Sequence, residues 1–519
     1  MLRSARNILR LLQIAWTLAR HDALFPLEQL RVAPGLVWLA RRFASRQVKG
    51  RPGERLALAC QQLGPSFIKL GQALSVRSDL VGEEIAADLA RLQDRLPAFP
   101  GSVARTIIER ELEQPIDRLF ARFDEVPVAA ASIAQVHFAL TTTGEPVAVK
   151  VLRPTVEREI ARDLDLMFWL AELVERTQPR LRRLRPLEVA RTFEETVQIE
   201  MDFRMEAAAA DELGLNFAGD AGYRTPRIDW DRTARRVLTQ ERVAGVRIDD
   251  REALLAAGHD PSLVLQKCAE TFFFQVFRDG FFHADMHGGN AFVTPDGTVV
   301  PIDFGIMGRL ARKDRVYLAE LLIAFLRGDY YKVAEVQWRA GYVPPDANVE
   351  VFAQACRSIG APIFGKPTHD ISLARVLGQL FQVARTFRME VQPQLLLLQK
   401  TMLMAEGMGL ALNRQVNIWE LARPLIESWM RDSFGPEAHA AEAMRDALEA
   451  ARAAPRLIGS AASLVEEAAV YGLRLHPETI RTLTLALPRQ RRRSMAAFLL
   501  GAASALSIVA VVIALLAWT

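Results

Sequence analysis

A chain of 519 residues, half of them hydrophobic, is long enough to bury a sizeable core and too long for one small domain. A formal net charge of only +4, with no zinc-finger or RNA-binding motif, gives no basis for nucleic-acid binding. The three cysteines, Cys60, Cys268 and Cys356, stand far apart; they suit a reducing compartment and make neither a disulfide framework nor a metal site.

In chain order, residues 1–54 form a basic amphipathic segment in which Arg3, Arg6, Arg10 and Arg20 punctuate Leu9, Leu11, Leu12, Ile14, Trp16 and Leu18. Such a segment either lies on an anionic membrane surface, serves as an organellar transit peptide, or packs as a helix on its own domain. Residues 55–95 read as helices within an extension spanning 55–100. Residues 101–245 then form the smaller lobe of a two-lobed domain. In it, strands are expected at 126–131 and 147–152 around a turn at Thr143, Gly144 and Glu145. A helical insertion follows at 155–215 and a strand at 235–249. The second lobe, 246–488, opens with an apolar helix at 262–282. It continues with short strands at 291–294 and 299–302 and is helical from about 312 onward. The fold class is therefore α+β, with a helical C-terminal region.

From Met495 to Trp518 no residue is charged, and Arg489, Arg491, Arg492 and Arg493 stand just before that run. At about 1.5 Å per residue this covers the roughly 30 Å hydrocarbon layer. With the basic flank 489–494 on the cytoplasmic side, it predicts a C-terminal transmembrane helix at 495–518 that tethers a cytoplasmic body. Gly501 and Ala505 make a small-xxx-small pair compatible with a homodimer, although small residues are common in this run.

Three short motifs carry chemistry. In His283-Ala284-Asp285-Met286-His287-Gly288-Gly289-Asn290, an aspartate stands five residues before an asparagine, the spacing of a kinase catalytic loop. Asp303-Phe304-Gly305 follows at the end of a predicted strand. Val147-Ala148-Val149-Lys150 has the form of the strand whose lysine pairs with the α- and β-phosphates of ATP. Such a lysine needs a carboxylate partner, and local spacing offers Glu172 or Glu175. The basic residues are lopsided, 8 lysines against 57 arginines. Each lysine therefore marks a place where a compact ammonium is wanted in preference to a planar guanidinium. Lys69 and Lys150 are two of them. No glycine-rich loop precedes the lysine strand. The upstream turn is Ala129-Ala130-Ala131-Ser132-Ile133-Ala134-Gln135-Val136-His137, which restricts backbone approach to phosphate.

With that alanine-rich loop the chain resembles the UbiB family of protein-kinase-like ATPases, associated with ubiquinone synthesis in bacteria and mitochondria. The resemblance extends to Lys69-Leu70-Gly71-Gln72, followed by Ser75, Arg77, Ser78, Asp79 and Leu80, and to Glu200-Met201-Asp202. It implies that Glu206, not Glu172 or Glu175, is the partner of Lys150. Two departures stand out: Gly288 where the family has proline, expected to loosen the loop, and Ala209 where asparagine is frequent.

The resemblance implies ATP and Mg²⁺ as cofactors. Asn290 and Asp303 would hold the metal, and Asp285 would position the attacking group. Lys150, Glu206, Ala131 and Ser132 would surround the nucleotide. Lys69, Gln72, Glu200 and Asp202 would also belong to the nucleotide site, Lys69 reaching either the nucleotide side or the Glu200/Asp202 pair, while the extension that carries Lys69 and Gln72 would cover the face where a kinase binds its substrate. Gly308-Arg309-Leu310 runs straight into an apolar helix with no Ala-Pro-Glu, which disfavours protein phosphorylation. The implied role is a membrane-anchored ATPase acting on polyprenyl-phenol quinone precursors or on quinone-biosynthesis enzymes, with anionic lipids as further partners. It would sit at a bacterial inner membrane, or at the mitochondrial one if residues 1–54 are a transit peptide. A true kinase and a nucleotide-binding scaffold are the alternatives.

Overall fold

The computed structural model describes residues 2–25, 50–76, 81–90, 92, 96–177, 185–344, 348–361, 377–379, 387, 393–413 and 424–431. Helix α1 (Leu2–Arg20) leads into the extension, α2 (Pro52–Leu63), α3 (Pro65–Val76) and α4 (Glu83–Leu89). Next come α5 (Gly101–Glu111) and the single turn α6 (Ile116–Leu119). They precede an antiparallel sheet built from β1 (Phe120–Phe123), β2 (Ala129–Ala130), β3 (Ala134–Thr141), β4 (Pro146–Leu152) and later β5 (Val237–Glu241). Its order is β1-β3-β4-β5, with β2 paired to β3. Between β4 and β5 lie α7 (Val156–Thr177), α8 (Pro186–Glu200) and α9 (Phe203–Asn216).

Alternation along β4 decides which side chains face the cleft. Val147, Val149 and Val151 point to one face and pack on Ala104, Ile107 and Ile108 of α5. Lys150, one residue out of phase, therefore points to the other face, towards α9. The expected strand at 126–131 is only the two-residue β2; the strand paired along β4 is β3, in register Val136↔Lys150 and Ala139↔Val147. Six of the nine residues of the predicted upstream turn, 129–137, are thus strand. Its alanines carry little β-propensity, and pairing with β4 overrides that.

The larger lobe begins with β6 (Val246–Arg247), α10 (Arg251–Ala256) and α11 (Pro261–Phe273). The expected single helix to 282 instead widens into π geometry over Phe274–Asp279. Gly280, at φ +68°, then turns the chain into β7 (Phe281–His283), where a Cβ would stand 2.5 Å from the Leu310 carbonyl. Strands β8 (Ala291–Val293) and β9 (Val299–Pro301) form a hairpin, and β10 (Met307–Arg309) pairs with β7. Helices α12 (Arg312–Leu326), α13 (Tyr330–Arg339), α14 (Val349–Gly360) and α15 (Pro393–Leu412) follow. A continuous apolar core joins α7, α9, α11 and α12 to α15.

Helix α1 packs on its own domain, as one of the three readings of the N-terminal segment expects. The Arg10 guanidinium and the Asp163 carboxylate of α7, both buried, meet through two hydrogen bonds of 2.8 and 2.9 Å, while Arg3 and Arg6 reach Asp165. Apolar residues stand on both faces of the helix: Ile14 and Ala19 are buried, with Leu11 and Leu18 packed beside them. Asn7, Arg10 and Thr17 are buried, while Ile8, Leu9, Leu12 and Trp16 face outward. The predicted transmembrane helix 495–518, its basic flank and the Gly501/Ala505 pair lie outside the described residues, as do Arg77, Ser78, Asp79 and Leu80. Among the described residues, Gln394–Leu412 is long and apolar enough to cross a membrane by length and composition. One face of it is buried in the core of the larger lobe through Leu398, Met402 and Leu412, while Leu403 and Leu410 are exposed.

Candidate functional site

The site assembles where the sheet of the small lobe meets the β8–β9 hairpin and the β7–β10 ladder of the large one. Asp202 caps α9 by accepting a hydrogen bond from the Arg204 amide, and the helix starts at Phe203. Glu206, one turn on, faces the sheet and meets Lys150, whose Nζ donates to both carboxylate oxygens at 2.8 and 3.0 Å. The same ammonium reaches Asp303 at 3.2 Å and lies 5.5 Å from the centre of the Phe203 ring. Glu206 also accepts from the Phe304 amide at 3.2 Å, which ties α9 to the Asp303-Phe304-Gly305 turn. The two local alternatives are engaged elsewhere. Glu172 pairs with Arg176, and Glu175 accepts from the Leu187 amide.

Hairpin geometry accounts for the 13-residue gap between Asn290 and Asp303. The register Ala291↔Pro301 closes the β8–β9 ladder, and the Ile302 amide donates to the Asn290 carbonyl at 2.9 Å. The two residues therefore leave the same end of one hairpin. The β7–β10 ladder ties in the third piece: Met307 opposes His283, and the Ala284 amide donates to Ile306. His283 is buried and cross-links the two loops, with Nε2 hydrogen-bonded to the Asp303 carbonyl and Nδ1 accepting from the Asp285 amide. Burial pushes its pKa below the usual value, so the ring is the neutral Nε2–H tautomer. It acts as a strut, and among the described residues no cluster of three or more His, Cys, Asp or Glu could hold a metal ion.

Three charges sit on one another here. Burial opposes the Lys150 ammonium, but Asp303 and Glu206 outweigh it and hold its pKa above the ordinary lysine range. Burial raises Glu206 to about 7 against the pull of Lys150, with Asp303 adding to the rise. Burial works against the Asp303 carboxylate as well, yet the Lys150 ammonium and the hydrogen bond from the Gly305 amide hold its pKa well below the usual range. Asp303 is the most open of the three, its side chain 42% exposed against 19% for Lys150 and 7% for Glu206. The donor set suits a magnesium–nucleotide. Asp303 presents a hard, solvent-reachable carboxylate. The Asn290 amide nitrogen is used on the Asp285 carbonyl at 3.3 Å, leaving its Oδ1 as the remaining side-chain oxygen.

On the upstream loop, the Ala131 amide donates to the Ala134 carbonyl and the Ala131 carbonyl accepts from Arg153 at 2.8 and 3.0 Å, so that peptide's polar groups are satisfied by the protein itself. Ser132 is fully buried beside it. Lys69 of α3 meets Glu200, at the end of α8, at 2.6 Å, both side chains largely buried. Asp202 is not its partner: the Asp202 carboxylate is taken up by Arg204. Gln72 has a buried Oε1 with no hydrogen-bond partner among the described residues. Ala209 packs at the edge of the core. At Gly288, a Cβ would stand 2.2 Å from the Cβ of Asp249, so this loop is tightly packed, contrary to the expected loosening.

Sequence reading missed Lys400. Its Nζ donates to Asp285 Oδ1 at 2.9 Å from the middle of α15. A signal was present: it is one of only eight lysines, and it interrupts an apolar run.

Residues 91–337 match the ABC1 atypical kinase-like domain and residues 356–417 the UbiB helical domain. The chain is 46% identical over 434 residues to the "Probable protein kinase UbiB" of Marinobacter nauticus, spanning 82% of this chain and 79% of the relative. It is 45% identical to the protein of that name in Aeromonas salmonicida, spanning 81% and 79%. A Mycobacterium tuberculosis protein solved in complex with erythromycin aligns over 77% of this chain and 98% of its own, at 23% identity and a TM-score of 0.48.

Proposed function

This chain belongs to the UbiB family of atypical kinase-like proteins, and on that premise we propose that it is an ATPase. It would work at the membrane in the handling of polyprenylated quinone precursors or of the enzymes that modify them. The observation that carries the ATP reading is the convergence of Lys150, Glu206 and Asp303, with Asn290 at the same hairpin end.

In this reading Asp303 and Asn290 would hold Mg²⁺, which when bound would supply charge neutralisation for the terminal phosphates, and Lys150, braced by Glu206, would steady the α- and β-phosphates. Asp285 orients a water. The water oxygen bonds to the terminal phosphorus as the bond to the bridging oxygen breaks. ADP and inorganic phosphate leave, and the water's proton passes to the products by way of Asp285 or directly. Two observations favour water over a protein hydroxyl. The chain passes from Asp303 to α12 in nine residues, through β10, leaving no long segment to seat a peptide. The extension is fastened to the kinase-like body by Lys69 on Glu200.

Membrane attachment is part of the same proposal. It rests on the uncharged run 495–518 behind its arginines and on the outward apolar stripe Ile8, Leu9, Leu12 and Trp16 of α1. The relatives' printed name supports a second reading, phosphotransfer to a hydroxyl.

The test is phosphate release by the full chain in nanodiscs, with and without anionic lipid and a polyprenyl-phenol. In parallel, label from the terminal phosphate of ATP is followed into protein or lipid. The expected result is lipid-stimulated release, abolished by Asp303→Asn. Label transfer without release would support the kinase reading, and neither activity would leave a nucleotide-binding scaffold.

A further inference from the structure

The stretch 283–290 that carries Asp285 contains no lysine or arginine. Its aspartate nevertheless meets a cation, brought from 115 residues further along the chain: Lys400 Nζ donates to Asp285 Oδ1 at 2.9 Å. The pair is sheltered, the Lys400 side chain 13% exposed and that of Asp285 27%. The neighbouring Thr401 hydroxyl reaches the Ala284 carbonyl at 3.3 Å, so α15 grips the loop at two successive residues. Between Gln394 and Leu412 the only charged residues are Lys400 and Glu406. Burying an ammonium in an apolar helix is costly unless it is paired. The helix holds it where the pairing is with the loop aspartate.

Resting on the ATP reading above, we propose that Lys400 is a positioning residue of the phosphoryl-transfer site, supplying from the helical C-terminal region the positive charge that the catalytic loop lacks. It does two things through Asp285. It occupies Oδ1 and fixes the carboxylate plane, leaving Oδ2 as the oxygen free to orient the nucleophile. It also offsets the Asp285 charge, which would otherwise repel the terminal phosphate that in-line attack brings beside it. The offset matters for a nucleotide with a third phosphate and little for one that stops at the second. Lys400 therefore contributes to discrimination between ATP and ADP.

Binding tests this without requiring turnover. The full chain in nanodiscs is titrated with the magnesium complexes of ADP and of a non-hydrolysable ATP analogue. The variants are Lys400→Gln, which keeps a donor for Asp285 but no charge, Lys400→Arg and Thr401→Val. Lys400→Gln is expected to lower the ratio of triphosphate to diphosphate affinity by about tenfold, the order of one screened charge at the site. Lys400→Arg should recover most of that ratio. Thr401→Val, which loosens the same helix without touching the charge, should leave it unchanged. An unaltered ratio in Lys400→Gln, or an equal loss in Thr401→Val, would overturn the proposal while leaving the ATP reading intact. No binding of either nucleotide by the unmodified chain would instead overturn the ATP reading, and this proposal with it. Where hydrolysis is present, Lys400→Gln should lower kcat, and Asp285→Asn combined with Lys400→Gln should be no slower than Asp285→Asn alone.

Discussion

The Lys150–Glu206 pair lends itself to a double-mutant cycle whose size follows from the structure. Lys150→Met removes the ammonium that separates two carboxylates and leaves Glu206 buried opposite Asp303. Stripping one partner from a buried pair usually costs about 3–5 kcal/mol, because the other charge is left uncompensated. Here there is an escape: burial and Asp303 already raise Glu206 to about 7, so near neutral pH it takes up a proton at little further cost. The expected loss is therefore about 2–3 kcal/mol. Glu206→Gln retains an acceptor for the Phe304 amide and leaves Lys150 on Asp303, a more exposed and more screened contact, for a loss of about 1–2 kcal/mol. The double variant replaces both charges by neutral groups of similar size and should lose only about 1–2 kcal/mol, giving a coupling of about 2 kcal/mol. Urea unfolding of the purified chain near pH 7, without nucleotide, measures all four corners. Repeating it near pH 5 should shrink the penalty of Lys150→Met, since Glu206 is then protonated in the folded variant. Losses that add to within about 0.5 kcal/mol would refute the pair as an energetic unit.

Four further outcomes are expected. Ala131→Gly should destabilise by about 0.5–1 kcal/mol through backbone entropy and change the preference between magnesium-ADP and magnesium-ATP in a thermal-shift titration; identical preference would mean the loop does not set nucleotide geometry. His137 is buried, its Nδ1–H donating to the Asp124 carbonyl and its Nε2 accepting from Gln135, and burial lowers its pKa. The unfolded chain thus binds a proton below about pH 6.5 that the folded one resists, so stability is full above that value and falls as pH drops. His137→Phe, which keeps the stack on Phe123, should flatten the pH dependence of Tm. Gly288→Pro should cost about 1–3 kcal/mol by collision with Asp249, and Asp249→Gly in the same chain should recover melting temperature and nucleotide binding. Arg10→Ala should cost about 3 kcal/mol by leaving the buried Asp163 with only its longer contact to Arg162 and expose α1 to limited proteolysis; an unchanged cleavage pattern would show that other contacts hold that helix.

How much of this was legible depended on how local each signal is. The catalytic loop, the Asp303 turn and the Lys150 strand are short peptides whose spacing is set by one hairpin or one strand, and each could be found from the residues alone. The partner of Lys150 could not. Glu172 and Glu175 are nearer in sequence, but α7 and α8 intervene as an inserted pair of helices and α9 delivers Glu206; only the family resemblance pointed there. The turn at 143–145 and the strand carrying Lys150 were found, but the hairpin's first strand was misplaced because Ala129, Ala130, Ala131 and Ala134 carry neither turn nor strand chemistry. The arginines of α1 suggested a basic face. Arg10 is instead buried on Asp163, a pairing 153 residues apart that no periodicity reveals.

The lysine count was the underused clue. In a chain that has arginine nearly everywhere a positive charge is wanted, Lys69, Lys150 and Lys400 each end on a carboxylate: Glu200, Glu206 with Asp303, and Asp285. They come from the extension, the sheet and the helical C-terminal region, three parts of the chain with no local relation to one another. An ammonium fits such places because it is compact, donates in three directions and bridges carboxylates that do not share a plane. Lys150 does this between Glu206 and Asp303; a guanidinium at the same position would demand a coplanar pair. The prediction that separates this account from chance is substitution by arginine at each site. Lys150→Arg should weaken magnesium-nucleotide binding by at least about tenfold, since the larger planar group cannot serve Glu206 and Asp303 together. Lys400→Arg, facing a single carboxylate oxygen, should be tolerated. Equal tolerance at both would mean that the scarcity of lysine carries no information about the site.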